Sequence, residues 1–442
     1  MLRKYILQFT QDYLEFRLPE FFSIASSFNI PVKIDDQLSS KQNPVLVVEV
    51  PSEECLRKIA NRTVLLRNVI EYWGSGKTID EVKSEIENLP KEITEPYVKN
   101  EKTSFSVKFH SSNHNIDLQE KVIKIDNFLE SYPINGKVNL KNPEKVFHLI
   151  ECYKDKRETS IPILDRMYFG RFICDSDRNS IKDFHLSKRK VIGNTSMDAE
   201  LSFIISNISQ SKSGGFIYDP FVGTGSLLVA CAKHGAFVSG CDIDKKLLSG
   251  RGKSSRKGQK WRDRDETVRG NLKQYGLDNR YFDVLIADTS KQAMWNIKDT
   301  MFDAIVTDPP YGIREPTVKS GNNETKLSND QTKMVYVMTD ILSDLLLFAA
   351  KYLHIGGRLV FWLPVYREEY VLENIPENKA MQCIFNCEQI LNSKVSRRLL
   401  TYQKTRAFQP DTDNNVHFGK NHYEESFRDR INTNIIGFLT FE

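Results

Sequence analysis

Phe216-Ile217-Tyr218-Asp219-Pro220-Phe221-Val222-Gly223-Thr224-Gly225-Ser226 is the stretch on which the fold of this chain turns. Its first four residues predict a short buried strand that ends in an acid. Gly223 and Gly225 allow a tight turn and the close approach of a ligand. Residues 227–233 follow as an apolar helix that stops near Gly235. Strand, glycine turn and helix in this order aim the free N–H groups of the helix start at a ligand, and the helix dipole favours a carboxylate there. The three spaced glycines of a dinucleotide loop are absent, as is the lysine of a Walker loop.

Three more apolar runs end in acids. Residues 236–241 read as a strand closed by Asp242, placed to bind ribose hydroxyls. Residues 282–287 precede Asp288, and residues 302–307 precede Asp308-Pro309-Pro310-Tyr311. Each acid alone reads as a strand-end cap. Four in succession fit a ligand lying outside the carboxyl ends of an open α/β sheet. The last group suits an exocyclic amine. Asp308 and the Pro309 carbonyl accept from its two N–H groups, the prolines hold those acceptors still, and Tyr311 offers a face for a flipped base.

Composition bounds the class. The chain has 442 residues, 40% hydrophobic and 27% charged, enough for two or three domains. No apolar stretch is long enough to span a bilayer and the N-terminus does not read as a secretory signal, so a cytoplasmic protein is expected. Seven cysteines at irregular spacing argue for reduced thiols, and no metal site is expected. Cys231 and Cys241 read as core residues. The net charge of +4 is mild, so contact with a polyanion must come from local patches. Candidates are Lys188, Arg189 and Lys190, the segment 251–269, and the acid-free segment 391–410 with Arg397 and Arg398. Any one of them also reads as a solvated face.

The expected organisation is an N-terminal α/β region over 1–175, a linker over 176–189 and a second domain over 190–442. The first region shows short strands at 4–9, 45–50, 105–109 and 137–140, with helices at 53–60 and 78–88. Ser52 is placed to cap the first of these helices. The second domain opens with a capped helix after Asn194. It continues with a helix over 340–353 and a buried strand over 358–363, which indicates a doubly wound, mainly parallel sheet.

Several motifs then follow in family order: Thr195-Ser-Met-Asp-Ala-Glu, the loop from Asp219 to Ser226, Gly240-Cys-Asp242, Asn271-Leu-Lys-Gln-Tyr, Asp308-Pro-Pro-Tyr-Gly-Ile-Arg314 and Ser396-Arg-Arg398. The run resembles the catalytic subunits of the eukaryotic tRNA guanine-10 N2-methyltransferases. Residues 138–143 resemble the end of a THUMP domain, an RNA-binding module. The resemblance implies a Rossmann-like methyltransferase sheet preceded by an α/β THUMP-like RNA-binding region. It implies S-adenosylmethionine as methyl donor, bound through Thr195, Asp219, Phe221, Gly223, Thr224, Gly225, Asp242 and Asp288. Catalysis would rest on Asp308, Pro309, Pro310 and Tyr311, with tRNA as substrate. A small zinc-binding activator protein is the expected partner, docked at Val284-Leu285-Ile286 on a sheet edge, unless the apolar tail 435–439 covers that edge. The rival readings are a DNA adenine or cytosine amino-methyltransferase, which carries the same tetrapeptide, and a non-catalytic RNA-binding scaffold.

Overall fold

The computed structural model describes residues 3–39, 43–155, 161–256, 258–295, 299–311, 318–320, 333–335 and 338–418. The expected features Gly312-Ile-Arg314 and the tail 435–439 lie outside them. The chain divides into two units, Met1–Arg178 and Asn179–Glu442.

The first unit is built on an eight-stranded sheet. Its strands are β1 (Arg3–Phe9), β2 (Lys33–Ile34), β3 (Val45–Val50), β4 (Leu66–Gly76), β5 (Ser104–Ser112), β6 (Lys137–Val138), β7 (Lys145–Tyr153) and β8 (Leu164–Asp175). They lie in the order β2-β3-β1-β4-β8-β7-β5-β6. The pairings of β5 with β6 and β7 are parallel, and the others are antiparallel. Ser52 does cap the helix Glu53–Ala60, its hydroxyl accepting from the Cys55 N–H at 3.3 Å. Thr78 and Asp117 cap the helices Ile79–Glu87 and Leu118–Ser131 in the same way. The buried Trp73 packs among Phe147 and Phe169, with Phe128 tilted against Phe169.

The strands β4, β7 and β8 are absent from the sequence reading. In β4 and β8 polar residues interrupt the apolar pattern. Glu71 is buried in β4 but is paired with Arg171 of β8 at 2.9 Å, so a charge sits inside a sheet without being stranded. The expected linker over 176–189 is also corrected. Asn179–Asp183 is helical, and the buried Phe184 stacks on Tyr275 with ring centroids 4.2 Å apart. That segment is folded into the second unit.

The second unit carries β9 (Phe216–Asp219), β10 (Phe237–Asp242), β11 (Tyr281–Ile286), β12 (Phe302–Thr307), a small hairpin of β13 (Val318–Ser320) and β14 (Lys333–Val335), then β15 (Leu353–Tyr366), β16 (Met381–Ile390) and β17 (Val395–Lys404). Seven of these form one sheet in the order β11-β10-β9-β12-β15-β17-β16. The first five run parallel, and β17 is antiparallel to both of its neighbours. The helix Met338–Tyr352 buries Ile341, Leu345 and Phe348 against Tyr218, Phe302 and Leu359. Cys231 and Cys241 are buried, as expected of core residues. This is the expected Rossmann-like sheet, and its strand order reverses between β9 and β12, so the ends of those two strands face the crevice where such sheets bind ligands.

Gly240 sits at the crowded side of that crevice. A Cβ there would lie 2.3 Å from the Asp219 carbonyl oxygen and 2.4 Å from Val222 Cγ2. Gly240→Ala should therefore push β10 off the end of β9, lowering stability by about 1–3 kcal/mol. Urea unfolding of the two proteins checks this, and an unchanged midpoint would contradict it.

Candidate active site

The glycine loop is held open from three directions. Gly223 and Gly225 take φ of 53° and 78°, the left-handed region that side chains resist. Asp242 Oδ2 accepts the Gly223 N–H at 2.8 Å, tying the loop to the end of β10. Its Oδ1 accepts the Asp244 N–H at 2.8 Å. The Thr224 hydroxyl pairs with Ser196 at 2.7 Å, and the Thr224 carbonyl accepts from Asn271 Nδ2 at 3.0 Å. Arg189 reaches in from below, its guanidinium donating to Ser226 Oγ at 2.6 Å.

Asp219 joins this loop to the tetrapeptide Asp308-Pro309-Pro310-Tyr311. It is buried, and its Oδ1 accepts from the Phe221 N–H at 3.0 Å and from the Thr307 hydroxyl at 2.8 Å. Burial pushes its carboxyl up to about 7, helped by the Asp242 and Asp308 charges and opposed by those two hydrogen bonds. One residue beyond Thr307, Asp308 Oδ1 accepts from the Tyr311 hydroxyl. Burial and the neighbouring Asp308 charge hold the Tyr311 phenol well above its ordinary value, so it remains a donor. Asp308 Oδ2 faces Arg397 Nη1 at 3.5 Å.

The remaining candidates are scattered. Thr195 is exposed, and its neighbour Ser196 makes the loop contact. Phe221 is half-buried in the loop. Asp288 caps its own turn, accepting the Ser290 N–H at 2.9 Å. Lys188 and Lys190 are exposed, with Asp183 and Asp265 as ion-pair partners. Arg189 is only 1% exposed, so its place among the RNA contacts is corrected to one behind the glycine loop. Arg397 and Arg398 have different surroundings. Successive strand residues face opposite ways. Arg397 lies over the Trp362 ring at 4.1 Å, beside Asp308. Arg398 binds Asn386 Oδ1 at 2.7 Å and lies over Tyr370. Ser196, Asn271 and Thr307 were missed as loop supports, because their partners are distant in sequence. Among the described residues no cluster of three or more potential metal ligands occurs, and no helix is long and apolar enough to cross a membrane.

Two family models match the chain: the Tmrp11 THUMP N-terminal domain over residues 3–178 and the N-6 DNA Methylase over residues 180–362. The tRNA (guanine(10)-N(2))-methyltransferase TRMT11 of Gallus gallus is 42% identical, covering 97% of this chain and 95% of its own. The human protein is 41% identical over the same shares. This chain belongs to the tRNA (guanine(10)-N(2))-methyltransferase family. The Saccharomyces cerevisiae member is 31% identical and matched along its whole length. Among solved structures, TrmN from Thermus thermophilus aligns at 15% identity with a TM-score of 0.43, over 91% of this chain and 99% of that one.

The Asp219 carboxyl has a consequence for stability. Its folded value of about 7 lies above the unfolded value near 4, so between those pH values the folded chain holds the extra proton. That contribution to stability is present at low pH and is lost as pH rises through 7. Asp219→Asn keeps an acceptor at Oδ1 and removes the titration. Wild type should lose more stability than Asp219→Asn between pH 5 and pH 8 in urea unfolding. Equal losses would show that Asp219 does not titrate in this window.

Proposed function

We propose that this protein transfers a methyl group to the exocyclic N2 amine of a guanine in tRNA, at position 10, with S-adenosylmethionine as donor. The observation that carries the proposal is the Thr307–Asp219 hydrogen bond, which sets Asp308 and the Pro309 carbonyl next to the glycine loop. The loop suits the donor. A Cβ at Gly223 would meet no atom within 4 Å, so the loop has open space on that side, and Asp242 presents acceptors at the next strand end. The Gly223–Ser226 turn would hold the amino-acid end, Asp242 the ribose and Asp288 the adenine amine. The sulfonium supplies an already activated methyl group.

The chain's own residues act on the base. A guanine amine is a poor nucleophile because its lone pair is delocalised into the ring. Asp308 and the Pro309 carbonyl accept its two N–H groups, leaving the lone pair aimed at the methyl carbon. These bonds tighten as positive charge develops on nitrogen, so they favour the transition state over the ground state. The nitrogen gains a bond to the methyl carbon as the sulfur–carbon bond breaks with its electron pair left on sulfur. Asp308 then accepts the surplus proton. Tyr311 provides the stacking face for the flipped base. The THUMP-like first unit supplies tRNA affinity, and the reaction is placed in the cytoplasm.

Asp308→Ala should lower the single-turnover rate on tRNA by roughly 100-fold or more, with cofactor affinity within about threefold of wild type by calorimetry. Near-normal single-turnover methylation would remove Asp308 from the reaction.

A partner is part of the proposal. β11 lies at the end of the sheet, paired with β10 on one side and with no described strand on the other. Phe282, Leu285 and Ile286 are 67%, 49% and 53% exposed there. An open edge rich in large apolar residues invites a strand from another chain. We assign this edge to the small zinc-binding activator, forming a heterodimer. The protein alone should aggregate or turn over weakly, and co-expression with the activator should restore soluble, active enzyme. A monodisperse and fully active single chain would refute the assignment.

A further inference from the structure

Arg397 occupies a position that phosphate binding does not explain. It projects from β17 between Pro364 of β15 and Gln389 of β16, its partners in register. Its guanidinium meets Gln389, Trp362, Asp308 and the Tyr311 hydroxyl. Nε donates to Gln389 Oε1 at 2.6 Å, the plane lies 4.1 Å from the centroid of the buried Trp362 ring, and Nη1 stands 3.5 Å from Asp308 Oδ2. The side chain is only 15% exposed. A cation stacked on a buried indole and held by an amide is poorly placed to reach a phosphate, and it is fixed in direction.

We propose that Arg397 is a positioning residue of the methyl-transfer site, holding the Asp308 carboxylate ionised and correctly oriented while its other oxygen exchanges the Tyr311 hydroxyl for the guanine amine. The proposal rests on the role given to Asp308 above. Both Asp308 oxygens face protein groups, Oδ1 the Tyr311 hydroxyl and Oδ2 the guanidinium. An incoming amine that takes over one of these contacts displaces the partner held least firmly. Arg397 is fixed by the indole and by Gln389 on the sheet, whereas Tyr311 reaches Asp308 from the chain just beyond the strand end. The hydroxyl is therefore the group that leaves. It stands in for the substrate N–H, and its departure frees the ring to stack on the base. Arg397 stays and compensates the carboxylate's charge as the amine approaches. An adjacent cation favours the ionised form of an acid, which is the form that accepts from an amine. No bond to Arg397 forms or breaks, and the reacting atoms never touch it.

The experiment uses the full chain with any activator that copurifies, S-adenosylmethionine and tRNA. Arg397→Gln keeps a planar polar side chain and removes the charge. Its single-turnover rate at saturating tRNA should fall by roughly 100-fold, with the KM for tRNA and the cofactor Kd within about threefold. The acid limb of the pH–rate profile should move up by roughly one pH unit or more. Added guanidinium ion should restore part of the rate. Arg397→Lys should keep the acid limb near that of wild type while recovering only part of the rate, because an ammonium keeps the charge but not the stacked plane. If Arg397→Gln does not fold, as judged by Tm and cofactor binding, Arg397→Lys carries the test, and a full rate there overturns the proposal. Two results with Arg397→Gln overturn it as well: an unchanged rate and acid limb, or a raised KM for tRNA with the single-turnover rate intact. Asp308→Asn is run in parallel. Near-wild-type transfer by that variant removes the underlying role of Asp308, whereas failure of the Arg397 variants alone leaves that role standing.

Discussion

A single hydrogen bond, from the Thr307 hydroxyl to the buried Asp219 carboxylate, sets the geometry on which this site depends. It joins the carboxyl ends of two neighbouring parallel strands, β9 and β12, at the point where the sheet reverses its order. One strand end opens the glycine loop and the other opens the Asp-Pro-Pro-Tyr turn. Burying an acid there is costly, and the elevated Asp219 carboxyl is the sign of that cost. The bond to Thr307 and the bond from the Phe221 N–H offset part of it. The register between the glycine loop and the Asp-Pro-Pro-Tyr turn is thus fixed by a contact inside the sheet.

Around this contact the second unit spends its polar groups on support. Asp242, Ser196, Asn271 and Arg189 each hold a different part of the loop. The Asp308 side is backed by β15 and β17, where Arg397 lies over Trp362 and faces Asp308. Neither group of supports lies near the other in sequence. A transfer reaction with an activated donor needs alignment more than acid–base strength, and the placement of these residues is suited to that need.

The sequence was most legible where one strand buries both of its faces. The runs at 302–307 and 216–219 are mostly apolar, and both strands have those bounds in the structure. Caps were legible because they are local: Ser52 and the Cys55 N–H it accepts are three residues apart. Reading failed where a charge is neutralised across the sheet. Glu71 and Arg171 lie 100 residues apart, and each alone argues against a buried strand. It failed also where basic residues look alike in one dimension. Lys188, Arg189 and Lys190 form one patch in the sequence, but the middle one is buried against Ser226. Arg397 and Arg398 separate by strand alternation to two different environments. The open edge at β11 was anticipated from strand order, and its exposed Leu285 and Ile286 agree with that position.

The central claim is that the amine accepted by Asp308 belongs to guanine in tRNA. The most direct measurement is to incubate the protein with S-adenosylmethionine labelled in the methyl group and either tRNA or duplex DNA, then digest to nucleosides and identify the labelled one. The account predicts label in N2-methylguanosine from tRNA, mapped to position 10, and none in DNA. Label in N6-methyladenine or N4-methylcytosine from DNA, or no transfer to either substrate, would contradict it.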